Sequence, residues 1–378
     1  MILVGVPVAS RPYRVLLVDL ALSFGGAEVR VLTQAKALQG MVAVCKVAVL
    51  RGSALHERLV AENLPCEILS SGRANPKLLL SLRRVIHEGG YQIVDAHNVQ
   101  SILWGHLAAA LAEAKGRVAT IHSDYGGEYP GFKGRIYEGI LRLDRLLARH
   151  YINVTEVLQE KAVRQGLEKR STLIHNAVPI PSEPIPAKNA NLLAEWGFSA
   201  EDYVVAIIGR LKPVKGHAYL LEAFATLHDL PYVKLLIVGD GPLLAELQTQ
   251  VQTLEITGQV HFAGFRDDVA RILPSVDCVC MASLSEGLPY TVLEAASYAR
   301  PMLVTAVGGM ATLFADHETA LLVPPRDPAA LAAGIRWLVQ HPDEALQLGQ
   351  ATRALVKKSF SIELMMKQIL EVYDKVAL

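Results

Sequence analysis

Cysteine is scarce in this chain of 378 residues, with only Cys45, Cys66, Cys278 and Cys280 present. None stands in a zinc-binding spacing. So sparse a set excludes a disulfide-stapled scaffold and suits a reducing compartment. Cys278 and Cys280 flank Val279 and would share one side of a strand. They read as small buried hydrophobes rather than as a redox or metal pair. An excess of charge is lacking as well: 37 basic residues balance 37 acidic ones. That removes the general electrostatic drive toward nucleic acid, and no nucleic-acid partner is expected. Long hydrophobic runs are also missing. Met1–Ser10 is mostly apolar but lacks the basic start of a signal peptide and is far too short to span a bilayer. The apolar stretch Ile102–Ala112 is interrupted by Gly105 and His106. The expectation is a cytoplasmic protein with no membrane span.

What the chain does contain is apolar residue, 51% of it, enough for two cores at a length generous for one. Short apolar runs alternate with segments of helical period. Candidate strands are Arg14–Asp19, Cys45–Leu50, Glu67–Ser70, Gln92–Ala96, Val118–His122, Tyr151–Val154 and Thr172–Ile174, with helices such as Ala54–Glu62, Leu78–His87 and Ile102–Ala112 between them. This alternation predicts a parallel sheet covered on both faces, with functional loops at the carboxyl ends of the strands. Four prolines in residues 178–186 interrupt it and predict a linker. Beyond them the pattern restarts with strands Tyr203–Ile208, Lys234–Val238, Val260–Ala263, Asp277–Met281 and Pro301–Thr305. Two successive α/β domains are therefore expected: residues 1–180, a linker at 181–190, a second domain at 191–360, and a closing helix at 361–378.

Two clusters carry chemistry. Gly209-Arg-Leu-Lys-Pro-Val-Lys-Gly216 follows a strand directly. Its glycines allow close backbone approach, Arg210 and Lys215 supply positive charge, and the next helix start offers free amides. A solvated basic loop would read the same way. The second cluster, Ser283-Leu-Ser-Glu-Gly-Leu-Pro-Tyr-Thr-Val-Leu-Glu294, also follows a strand. Glu286 on its loop and Glu294 on the following helix could accept hydrogen bonds from vicinal hydroxyls. A cationic loop beside such acceptors describes a nucleotide-sugar well.

The frame from Glu286 to Glu294 resembles the paired-glutamate signature of retaining GT-B glycosyltransferases, family 4 in particular. Gly209–Gly216 is similar to that family's donor-phosphate loop. Gly25-Gly26-Ala27-Glu28, Ile237–Pro242, His261–Phe265 and His175-Asn176 resemble its other motifs, and the likeness runs from about residue 14 to 375. It implies a GT-B fold: two Rossmann-like doubly wound parallel-sheet domains facing across a cleft, the C-terminal helix crossing back to the first. By the same resemblance, Arg210 and Lys215 hold the donor diphosphate. Glu286 takes a hydroxyl of the transferred sugar, helped by the backbone at Gly287, Leu288 and Pro289. Glu294 takes the ribose, and Gly25, Gly26 and Gly209 approach the diphosphate. Phe265 and Arg266 line the base pocket. His122, in Ala119-Thr-Ile-His-Ser-Asp124, resembles a family histidine between donor sugar and acceptor; His97 is a weaker candidate. One departure is Thr312, which stands where the family commonly has a glutamate after Gly308-Gly309.

The resemblance implies retaining transfer of a sugar from a nucleoside-diphosphate sugar, most often a UDP-sugar, to a glycan or lipid-linked acceptor hydroxyl. No cofactor and no metal are expected, since Arg210 and Lys215 supply the positive charge. A nucleotide-sugar epimerase on the same frame and a non-catalytic nucleotide-sugar-binding subunit are the alternatives. Tyr125–Gly131 reads as a flexible loop near the acceptor. The helix Lys133–Arg149 carries five basic residues beside an apolar side of Ile136, Ile140, Leu143 and Leu147. It reads either as an ordinary packed helix or as a peripheral contact with the inner face of the membrane.

Overall fold

The computed structural model describes residues 11–70, 72, 75–128 and 131–377. The opening stretch Met1–Ser10, and Tyr129 and Pro130 of the loop at 125–131, lie outside the described residues. The chain divides into two compact units. One takes the chain up to Ala177 together with the segment from Ile362 onward; the other takes Val178–Ser361.

The first unit is a sheet of β1 (Arg11–Asp19), β2 (Val42–Leu50), β3 (Cys66–Leu69), β4 (Ile93–His97), β5 (Gly116–Ile121), β6 (His150–Asn153) and β7 (Ser171–Leu173). Among the described residues its order is β3-β2-β1-β4-β5-β6-β7, with every pair parallel. The two-residue period of a strand sends Leu16 and Val18 to one face and Val15 and Leu17 to the other. The first pair joins a core with Leu82, Ile86 and Ile102 from helices Lys77–Gly89 and Val99–Leu111. The second pair packs with Val31 and Ala35 of helix Gly26–Leu38. The last helix, Ile362–Ala377, completes that second core with Met365, Met366, Ile369 and Tyr373. Its Asp374 is tied to Arg11 at 3.1 Å and accepts from the Tyr13 hydroxyl at 2.9 Å.

The second unit repeats the plan with β8 (Tyr203–Ile208), β9 (Val233–Val238), β10 (Val260–Gly264), β11 (Cys278–Met281), β12 (Met302–Thr305) and β13 (Leu321–Val323). They run in the order β10-β9-β8-β11-β12-β13. In both sheets the order reverses beside the first strand, at β1/β4 and at β8/β11. Such a switch point opens a crevice at the carboxyl ends of the strands, where α/β proteins place their ligands.

Several details differ from the sequence expectations. The strand β13 was not foreseen, because three residues between Ala320 and Pro324 carry no periodicity. The end of the second unit forms two helices, Pro328–Gln340 and Pro342–Ser359. Pro342 lacks the amide that would continue the first helix and instead opens the second. The proline-rich stretch makes its contacts inside the second unit. Arg353 donates to the Pro181 carbonyl at 2.6 Å and pairs with Glu183, and Val178 bridges to Ser361. Cys278 and Cys280 are free and fully buried. Burial pushes the Cys280 thiol up to about 12 and raises that of Cys278 well above its ordinary value.

The basic helix spans Phe132–Asp144; Tyr137, Ile140 and Leu141 pack against the core, and its other apolar residues stay outside. Phe132, Leu143 and the following Leu146 are 80%, 66% and 83% exposed. The expected loop after His122 opens with a helical turn, Tyr125–Glu128, whose Tyr125 is buried edge-on against Tyr137. Among the described residues, no helix is long and apolar enough to cross a membrane.

Candidate functional site

The carboxyl ends of β8 and β11 bring both sequence-derived clusters of the second unit together. After β8 the chain passes Gly209 and Arg210 and makes a short turn of 3-10 helix, Pro213–Lys215. Gly216 then takes a left-handed φ of 69° before the helix His217–Phe224 begins. A Cβ on Gly216 would stand 1.9 Å from the Ala282 carbonyl oxygen, so only glycine lets this loop lie against the chain leaving β11. The contact is reinforced by the Leu284 amide, which donates to the Val214 carbonyl at 2.7 Å. Lys215 is thereby placed in an ion pair with Glu286, to which Ser283 Oγ also donates at 3.1 Å. Arg210 is exposed, with no protein counter-charge among the described residues. His217 is buried behind Lys215, and burial, then the nearby ammonium, lowers its pKa to about 4.

The Glu286 loop is held from its other side by Gly308-Gly309 at the start of helix Gly308–Leu313. A Cβ on Gly308 would meet the Glu286 carbonyl oxygen at 1.7 Å, and one on Gly309 the Gly287 carbonyl oxygen at 2.5 Å. Thr312 turns its hydroxyl back to the Gly309 carbonyl at 3.1 Å. The loop is therefore fixed here by close backbone packing, with a neutral hydroxyl in place of a carboxylate. Leu288 packs onto the core, and Pro289 caps the helix Tyr290–Ser297 that carries Glu294. Burial pushes the Glu294 carboxyl above its ordinary range.

Gly209, Gly239 and Gly264 link the ends of β8, β9 and β10. The Gly209 amide donates to Val238 O at 2.9 Å, and the Gly239 amide to Gly264 O at 2.7 Å. Phe265, next in the chain, is 73% exposed. Arg266 is less available than the sequence suggested: it pairs with Asp268 at 2.8 Å and with Glu195 at 2.7 Å, and these partners raise its pKa.

In the first unit, β1 leads to exposed Gly25 and Gly26 at the start of helix Gly26–Leu38. The buried Glu28 accepts from the Gly25 amide at 2.7 Å. Arg30, fully buried, donates to the carbonyls of Ile174 and His175 at 3.1 and 2.6 Å. Nothing in its sequence setting marks it as more than a helix charge. His97 ends β4, His122 follows β5, and their rings meet with Nδ1 of His97 3.0 Å from Nε2 of His122. Burial lowers both pKa values, that of His97 to about 4 and that of His122 well below its ordinary value. Beside His122 a pocket opens between the loop after β5 and the helices Phe132–Asp144 and Glu156–Arg164, lined among others by Ser123, Asp124, Glu138, Arg142 and Lys161. Among the described residues, no three His, Cys, Asp or Glu side chains are grouped to hold a metal ion.

Two parallel sheets of this order, with basic and acidic loops at a switch point, define the GT-B class of fold. Known structures agree. HepE of Anabaena, solved in complex with UDP, superposes with a TM-score of 0.82 over 96% of this chain and 100% of its own, at 22% identity. In sequence, the D-rhamnosyltransferase WbpZ of Pseudomonas aeruginosa is 32% identical over 226 residues, 58% of this chain and 56% of that one. The UDP-Gal:alpha-D-GlcNAc-diphosphoundecaprenol alpha-1,3-galactosyltransferase of Escherichia coli is 26% identical over 314 residues, 79% of each chain. Residues 24–180 match the model of Glycosyltransferase Family 4, and residues 189–355 that of Glycosyl transferases group 1. The chain belongs to this glycosyltransferase family.

Proposed function

We propose that the protein transfers a sugar, with retention of anomeric configuration, from a nucleoside-diphosphate sugar to an acceptor hydroxyl in polysaccharide or lipid-linked glycan assembly. The observation that carries this reading is the Lys215–Glu286 pair, which joins the two loops at the β8/β11 switch point, with exposed Arg210 on the first loop and Glu294 on the helix that follows the second. Breaking the glycosyl–phosphate bond leaves an oxocarbenium-like sugar and additional negative charge on the diphosphate. Arg210 and Lys215 meet that charge, and losing one pre-placed contact of this kind costs ~3 kcal/mol of transition-state stabilisation. Glu286 exchanges Lys215 for a sugar hydroxyl, Glu294 accepts from the ribose, and Phe265 offers its exposed ring to the base. The two cations fill the role of a metal ion, so transfer proceeds in EDTA.

Uridine is the proposed base, supported by the UDP complex of HepE and the UDP-Gal donor in the name of the E. coli relative. The diphosphoundecaprenol acceptor in that name supports a lipid-linked acceptor here. The exposed Phe132, Leu143 and Leu146 beside Lys133, Arg135, Arg142 and Arg149 support a peripheral membrane contact. On this reading the protein works at the cytoplasmic face of a membrane. Phe132→Ser with Leu146→Ser abolishes flotation with anionic vesicles at low salt; equal flotation of wild type and variant removes the membrane contact.

The donor site is tested by thermal stability with UDP, GDP and ADP, each with and without EDTA. A nucleotide at a hundredfold its dissociation constant adds ~2.7 kcal/mol to the folded state. Selective stabilisation by UDP, indifferent to EDTA, is expected. Arg210→Ala and Lys215→Ala each fold normally and lose turnover by about a hundredfold or more. Near-normal turnover in both overturns the assignment, and a sugar product formed without acceptor points to an epimerase instead.

A further inference from the structure

The buried side chains behind His122 form a chain that the transfer chemistry does not yet use. The strands β4 and β5 are parallel neighbours, with His97 opposite Thr120. Asp95 lies two residues before His97 and faces the same side of the sheet. Both are wholly buried. Asp95 accepts from Thr120 Oγ1 at 2.8 Å on one oxygen. On the other it accepts from the Tyr373 hydroxyl at 2.7 Å and Gln34 Nε2 at 3.0 Å. Three donors aimed at two oxygens suit the carboxylate anion. Its Oδ1 stands 3.6 Å from His97 Nε2, too far for a hydrogen bond but close for a charge in a site without water.

We propose that His97 is a positioning residue that holds His122 as its Nε2–H tautomer, leaving the Nδ1 lone pair of His122 to accept a hydrogen bond from a substrate hydroxyl. The substrate contact rests on the transferase reading above; the tautomer does not.

The paired rings can share their protons in two arrangements. Across the 3.0 Å contact, one ring nitrogen donates and the other accepts. If His97 Nδ1 carried the proton, its bare Nε2 would turn a lone pair toward the Asp95 carboxylate, with no other partner in reach. With the proton on His97 Nε2, the N–H dipole points at the anion and Nδ1 accepts from His122 Nε2–H. The second arrangement turns the repulsion between His97 and Asp95 into an attraction and keeps the hydrogen bond between the rings. Protonating both rings is no escape, because burial and the guanidinium of Arg30 keep them neutral, against the opposing pull of Asp95 on His97. Tyr373 sets the far end: its hydroxyl orients Asp95, so a side chain from the last helix reaches His122 through three contacts.

The test reads the ring nitrogens of the full, unliganded chain, labelled with 15N-histidine. His97 and His122 are assigned from the spectra of His97→Gln and His122→Gln. Both rings are expected as Nε2–H tautomers with an unprotonated Nδ1. A proton on His122 Nδ1, or rapid averaging between tautomers, overturns the proposal. In His97→Leu the His122 tautomer averages, and kcat falls roughly tenfold to a hundredfold while KM for the donor holds. His97→Gln, whose Oε1 can accept the same N–H, recovers part of that loss and restores the single tautomer. Equal behaviour of the Leu and Gln variants, both folded by thermal melting, shows a packing role only and also overturns the proposal. If the wild type transfers no sugar, the spectrum still decides the tautomer, and it is the transferase reading that fails.

Discussion

Gly308→Ala probes how the Glu286 loop is held. Gly308 has a φ of 51°, and its Cβ would lie 1.7 Å from the Glu286 carbonyl oxygen. A left-handed backbone costs an alanine about 1–2 kcal/mol. Forcing the backbones apart adds about 1–3 kcal/mol, for a total of about 2–5 kcal/mol. At about 2–4 °C per kcal/mol for a unit of this size, the melting temperature of the second unit falls by about 4–20 °C. Gly197→Ala supplies the control: its φ is 74°, yet nothing lies within 4 Å of its Cβ. It carries the backbone cost alone and loses about 2–8 °C. Calorimetry of the two variants separates strain from overlap. Turnover then reports the site, because a loop pushed off Gly308 takes Glu286 away from Lys215 and Ser283. Gly308→Ala should lose most activity, while Gly197→Ala keeps it. Equal melting losses, or full activity in Gly308→Ala, would refute the reasoning.

Other outcomes follow from burial and pairing. Burial raises the Glu294 pKa in the folded state, so the native protein holds this proton more tightly than the unfolded chain. Stability therefore falls as pH rises from the unfolded carboxyl value through the raised folded one. Glu294→Gln should remove that fall, its melting temperature gaining on wild type between acid and neutral pH; a constant gap would contradict the assignment. Thiol labelling of the native protein should leave Cys278 and Cys280 untouched, since both are fully buried and Cys280 is pushed up to about 12; modification without unfolding would count against the core. Arg30→Met should cost about 2–3 kcal/mol on denaturant unfolding, as carbonyls of Ile174 and His175 lose a charged donor. A loss under half a kcal/mol would show the contact idle.

The two loops that meet at the β8/β11 switch point were legible in sequence because their determinants are local. Glycines and cations directly after a strand, or two glutamates across a loop-to-helix turn, keep their meaning wherever the sheet lies. What could not be read depends on which strands become neighbours. His97 and His122 each look like a polar residue at a strand end; only the pairing of β4 with β5 makes them partners. Arg30 looks like the polar face of an amphipathic helix, yet it turns inward to satisfy carbonyls of a segment nearly 150 residues away. The helix Phe132–Asp144 divides between its two readings. Ile140 packs on the core while Ile136 and Leu143 stay exposed, because periodicity records a face without saying what covers it.

The first unit is interrupted in sequence: its last helix is made only after the whole of Val178–Ser361. During synthesis, residues up to Ala177 emerge with one face of β4 and β5 uncovered beside helix Gly26–Leu38, waiting for Met365, Met366, Ile369 and Tyr373. The second unit, continuous in the chain, can close first, reversing the usual order in which the earlier part folds ahead of the later. Until that helix arrives, Asp95 lacks its tyrosine and the nascent chain shows an apolar strip that invites misassociation. Ribosome-bound chains halted before Ile362 should therefore be the ones that chaperones hold.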